Sequence, residues 1–217
     1  MKSSITPAYL IMLEKKYGGY VTNITRNKVS KFDPRSTIKL SQGGMTGGDR
    51  MSSQYHNYAK YYSKYINSFL NKSSPKVIVE VGILTGIGLA IWCDLFPNAR
   101  VIGLDIDLDH FNNNRDTLSN LGAFKKNSPE VYVFDQFYPN HELIQSILHS
   151  DTLDIVIDDG FHSSESIITT LKSLYQSFSN HFLYFIEDNA NVASILKEYL
   201  PYNICSHGEL TVLQNKV

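Results

Sequence analysis

The chain has 217 residues, 42% of them hydrophobic and 19% charged, with a formal net charge of −1. That balance describes a globular chain long enough for one sizeable core; it excludes a disordered protein and gives no general pull towards nucleic acid or an anionic membrane. Cys93 and Cys205 form neither a disulfide framework nor a zinc-ligand spacing, and read as small residues in a reducing compartment.

The opening "MKSSITPAYLIMLEKK" lacks the apolar run of a signal peptide, and no stretch approaches a membrane span, so a cytoplasmic protein is expected. Residues 1–74 read as an N-terminal helical segment with a lid loop, beginning with a short helical pattern around Tyr9–Lys16. "LSQGGMTGGDR" (Leu40–Arg50) holds four glycines and reads as a loop. Asp49 and Arg50 at its end suit either a lid or a plain surface loop. From Gln54 to Leu70 aromatic residues recur at helical spacing, which predicts a helix packed by its tyrosine stripe; "NKSSP" ends it. His56 and Tyr58 fall where they would edge a pocket.

Strand and helix patterns then alternate over 75–217. "KVIVEVG", "ARVIGLDI", "EVYVFD", "LDIVIDDG" and "FLYFIED" are strands. Helices are expected over "TGIGLAIWCDLF", His110–Leu121, His141–Leu148, Ser164–Phe178 and "VASILKEYL", and a closing hairpin over Tyr202–Ser206 and Leu210–Gln214. The pattern predicts an α/β fold with a doubly wound, mostly parallel seven-stranded sheet, forming one compact domain with its N-terminal extension. Ligands of such sheets bind at the carboxyl ends of the strands, where Glu80, Asp105, Asp135, Asp159 and Glu187–Asp188 all stand.

The first strand–helix turn, "VEVGILTGIG", places Gly82, Gly86 and Gly88 in a G-x-x-x-G-x-G spacing rather than the dinucleotide G-x-G-x-x-G. Glu80 ahead of it would repel a pyrophosphate but suits an amine-bearing ligand. Asp105 is placed to accept from ribose hydroxyls, and Asp135 or Gln136 to reach an adenine amino group. A ribose, an adenine and a cationic amino-acid tail together describe S-adenosylmethionine.

"VEVGILTGIGLAIW" with "ARVIGLDID" resembles the cofactor half of class I S-adenosylmethionine-dependent methyltransferases. "DIVIDDGFH" followed by "YFIEDN" resembles, more narrowly, the metal-dependent O-methyltransferases of the macrocin and mycinamicin type, which act on sugars. "GGDRMSSQYHNYAKYYSKYI" is similar to the D-K/R…H-x-Y segment preceding the core in such enzymes. The resemblance covers roughly residues 45–190 and implies that Asp159, Glu187 and Asp188 hold Mg²⁺ or Mn²⁺, with Asp159 also catalytic and His162 the general base. Converging carboxylates call for a cation, and hard oxygens suit magnesium. Asp158 is assigned to the cofactor side or to support of the strand end. Phe161 replaces the serine often found before this histidine, which suggests a more apolar acceptor pocket.

The expected activity is methylation of a hydroxyl on a sugar or similar small polar acceptor, with no nucleic-acid or membrane partner and a homo-oligomer left open. A nicotinamide-dependent oxidoreductase, disfavoured by Glu80 and Ile83 in the turn, and a non-catalytic cofactor-binding relative are the alternatives. His162 alone also reads as a helix-start residue, and Asp105 alone as a solvated acid.

Overall fold

In a computed structural model, which describes residues 4–33 and 44–216, the alternation becomes a seven-stranded sheet. The central strands are β3 (Val77–Val81), β4 (Arg100–Asp105), β5 (Glu130–Val133), β6 (Leu153–Asp158) and β7 (Phe178–Ile186). The hairpin of β8 (Asn203–His207) and β9 (Leu210–Gln214) closes one side. The order is β5-β4-β3-β6-β7-β9-β8. The first five strands run parallel, while β9 pairs antiparallel with both β7 and β8. The order reverses between β3 and its neighbours β4 and β6, which opens a crevice at their carboxyl ends.

Period-two alternation divides the core. Ile78, Ile155, Ile157, Leu183 and Phe185 face one layer, and Val77, Val79, Val156, Phe182 and Tyr184 face the other. The first layer holds α1 (Pro7–Lys16), α2 (Ala59–Leu70), α3 (Ile87–Leu95) and α4 (Asp109–Asn120). The second holds α5 (His141–Leu148), α6 (Ser164–Leu174) and α7 (Val192–Tyr199).

Three local expectations change. The helix expected to reach Phe178 ends at Leu174, where a tighter turn over Tyr175–Ser177 leads into β7 at Phe178. Part of the glycine-rich stretch, Met45–Gly47, is a strand (β2) paired antiparallel with β1 (Val21–Ile24), because its backbone finds an extended partner; residues 40–43 lie outside the described residues. The tyrosine helix starts at Ala59 rather than near Gln54. Residues 50–58 fold into turns instead, with Tyr58 N–H on the Arg50 carbonyl and Asn57 N–H on that of Ser52.

Candidate active site

A cavity of about 430 Å³ opens at the carboxyl ends of β3, β4, β5 and β6. Glu80, Gly82, Asp105, Asp135 and Gln136 line it, as do Asp159, His162 and Asp188. Gly82 takes φ 83°, and a Cβ there would meet the Asp159 carbonyl oxygen at 2.1 Å, so the turn after β3 lies directly against the end of β6. Gly86, also at φ 83°, caps the start of α3. A Cβ at Gly88 would fall 2.0 Å from Glu80 Oε1; only glycine leaves room on the helix for that carboxylate.

The expected cofactor residues divide by what they hold. Asp105 Oδ2 accepts from the backbone N–H groups of Ile83 (2.8 Å) and Leu84 (3.0 Å), and Oδ1 from that of Asp107 (3.0 Å). Asp105 therefore shapes the glycine turn from within the cavity wall, and burial raises its pKa against those donors. Asp107 Oδ2 is buried in the same wall and has no hydrogen-bond partner among the described residues. Asp135 accepts from Phe137 N–H (2.9 Å) and from the Ser30 hydroxyl (2.7 Å). Lys28, two residues before Ser30, pairs with Asp107 (3.4 Å) and Asp109 (3.2 Å). The segment around residues 26–30 thus straps the Asp105–Asp135 side of the cavity, a role that its sequence does not announce.

Gln136 and Asp158 bond to each other. Gln136 Nε2 donates to Asp158 Oδ1 (2.8 Å) and Thr170 Oγ1 (3.0 Å), while Gln136 Oε1 accepts from Phe161 N–H (2.7 Å). Asp158 also accepts from the Tyr184 hydroxyl (2.9 Å), and burial raises its pKa to about 6. In this arrangement Gln136 and Asp158 set the path of the loop leading to His162.

The residues expected to hold metal fall into two groups around Arg50. Arg50 Nη2 lies 2.6 Å from Asp159 Oδ2 and 2.8 Å from Glu80 Oε1, and Nε lies 2.8 Å from Glu187 Oε1. Its guanidinium rests on the face of Trp92 at 5.7 Å. The Tyr62 hydroxyl donates to Glu187 as well. Burial raises the Glu80 pKa to about 7 against the pull of Arg50, and burial with neighbouring carboxylates holds Glu187 well above the ordinary range. Glu14 of α1 fixes the Arg50 loop, accepting from Met51 N–H (2.9 Å) and Ser52 N–H (3.2 Å). Arg50 is the central residue of this cluster, although its sequence position suits a lid or a plain surface loop equally well. The available signal was chemical, because so many acids at one edge require a cation.

Asp159, His162 and Asp188 form the outer group: one ligand atom from each lies within 4.8 Å of the others. His162 Nε2 is 4.0 Å from both Asp159 Oδ1 and Asp188 Oδ2. Asp188 Oδ1 takes the Tyr58 hydroxyl (2.7 Å) and lies 3.1 Å from His56 Nδ1. Asp49 and Asp188 raise the His56 pKa to about 9. His56 and Tyr58 therefore belong to the site.

The fold is that of class I S-adenosylmethionine-dependent methyltransferases. The chain is similar to MycE, a methyltransferase of the mycinamycin biosynthetic pathway whose structure holds Mg, SAH and mycinamycin VI, with 18% identity and a TM-score of 0.57. That match covers 77% of this chain and 51% of MycE, so the chain spans about half of MycE's length. A caffeoyl-CoA O-methyltransferase-type protein of Staphylococcus aureus is similar at 10% identity and TM-score 0.53, over 71% of this chain and 82% of its own. The SAH-bound methyltransferase PaMTH1 of Podospora anserina is similar at 13% and 0.53, over 78% and 82%. No family model and no curated protein sequence matches the chain.

Proposed function

We propose that the chain is an S-adenosylmethionine-dependent, metal-assisted O-methyltransferase acting on a hydroxyl of a sugar or similar small polar acceptor. One observation carries this: the glycine-turn cavity and the Asp159–His162–Asp188 group share one wall at the same sheet edge. The methyltransferase fold and the MycE likeness support it. Bound in this cavity, the cofactor supplies a methyl group on a sulfonium. The carboxylates of Asp159 and Asp188 form an oxygen donor set that fits Mg²⁺ or Mn²⁺, and the ion would make an acceptor hydroxyl more acidic.

The chain's own residues do the remaining work. His162 Nε2 takes the hydroxyl proton, and Asp159 and Asp188 on either side stabilise the imidazolium. Phe137 and Phe161, in edge contact at 4.6 Å, give the acceptor side an apolar surface. The acceptor oxygen then needs only alignment with the methyl carbon, so positioning supplies much of the rate. The test is methyl transfer from a radiolabelled donor to a panel of sugar acceptors, with and without chelator. Transfer to a sugar hydroxyl that stops with chelator is expected. Tight NADH binding with no affinity for S-adenosylhomocysteine would replace this function by a dehydrogenase.

A further inference from the structure

The acids at the sheet edge differ in what they can offer a metal. Glu187 has a side chain only 2% exposed, and its two oxygens lie 2.8 Å and 3.0 Å from Arg50 Nε, with Tyr62 on one of them. Asp159 and Asp188 are 29% and 24% exposed. Asp159 divides its oxygens, Oδ2 towards Arg50 and Oδ1 towards His162. Arg50 is not a loose arm that an arriving ion would displace. It stays charged at any working pH, its backbone is held by Glu14 through Met51 and Ser52, and its face lies on Trp92.

We propose that Arg50 withdraws Glu187 from the metal's coordination shell and sets the affinity of the site, leaving Asp159 and Asp188 as its carboxylate ligands. This rests on the metal-assisted function above and departs from the Asp159–Glu187–Asp188 set that the sequence resemblance implies. The physical reason is twofold. A guanidinium 2.6 Å from one Asp159 oxygen repels a divalent cation approaching the other. It also occupies the one carboxylate whose ligation would make a third bond from an acid. Arg50 thereby keeps the ion weakly held and exchangeable.

Calorimetry of Mn²⁺ binding to the full chain without cofactor tests this, with melting curves to confirm folding. Arg50→Met should bind Mn²⁺ at least about tenfold tighter than wild type. The gain should disappear in Arg50→Met/Glu187→Gln, where the released ligand is gone. Equal or weaker binding by a folded Arg50→Met overturns the proposal while leaving the metal site standing. If that variant does not fold, Glu187→Gln decides: a loss below about fivefold is expected, against more than about fiftyfold for Asp188→Asn. Equal losses in the two would make Glu187 a ligand and overturn the proposal. Absence of Mn²⁺ binding in both wild type and Arg50→Met removes the metal function and this inference together.

Discussion

His162 Nε2 and Asp188 Oδ2 face each other across 4.0 Å, and both residues hold left-handed backbone, φ 64° and 55°. Such φ values cost a non-glycine residue about 1–2 kcal/mol and persist where the surroundings dictate them. Asn189 supplies part of that constraint, its side-chain amide donating to the His162 carbonyl at 2.7 Å. His162→Ala should lower kcat by about a hundredfold or more, the scale of a lost general base. His162→Gly should be equally inactive yet melt no lower than His162→Ala, since glycine relieves the left-handed strain. Near-normal turnover in His162→Ala would leave the histidine a structural role alone.

Asp105 gives a prediction about the cofactor. Asp105→Ala removes the acceptor for Ile83 and Leu84 N–H, each orphaned donor costing about 1–3 kcal/mol if it stays buried. Affinity for S-adenosylhomocysteine should fall more than about tenfold, with a lower Tm, because the glycine turn loses its support. An unchanged Kd would mean that this turn does not carry the cofactor.

The strand-end acids were legible in the sequence, because a doubly wound alternation assigns each strand's last residue to one edge. Their division of labour was not. Whether Glu187 points at a metal or at Arg50 depends on a partner 137 residues away, and no periodicity records that pairing. The same holds for Ser30 on Asp135, at a separation of 105. The strand end offers Asp135 or Gln136 as an adenine contact, and no local pattern shows that the Gln136 amide braces Asp158 and Phe161. The short strand Met45–Gly47 was hidden because the glycines in and around it carry a turn signal, while its partner β1 supplies the extended geometry.

Metal removal separates chemistry from cofactor binding. With excess chelator, methyl transfer should cease while the calorimetric affinity for S-adenosylhomocysteine stays within about twofold, because Asp105 and the glycine turn lie outside the outer group. Mg²⁺ or Mn²⁺ should restore the rate. Full activity in chelator would leave His162 acting without a metal.

Glu14 makes stability depend on pH. Burial raises its carboxyl from 4.5 to about 7, so the folded state binds a proton that the unfolded chain releases earlier. Its stabilising contribution is therefore complete below about pH 4.5 and is lost as pH rises through about 7. Glu14→Gln keeps an acceptor without the titration. The variant's Tm relative to wild type should rise between pH 5 and pH 8, as followed by thermal melts; a constant difference would remove Glu14 as the source.

The bonds of Arg50 to Glu80, Asp159 and Glu187 also constrain how this chain can diverge. Replacing one member strands a buried charge, at about 3–5 kcal/mol, whereas replacing several by well-packed apolar groups can be nearly neutral. The four positions are therefore epistatic: a lineage leaving this arrangement crosses a valley of unstable intermediates unless the changes arrive together. Homologous chains should consequently keep all four residues or lose several at once, and an arginine-free relative should show at least one of the acids neutralised.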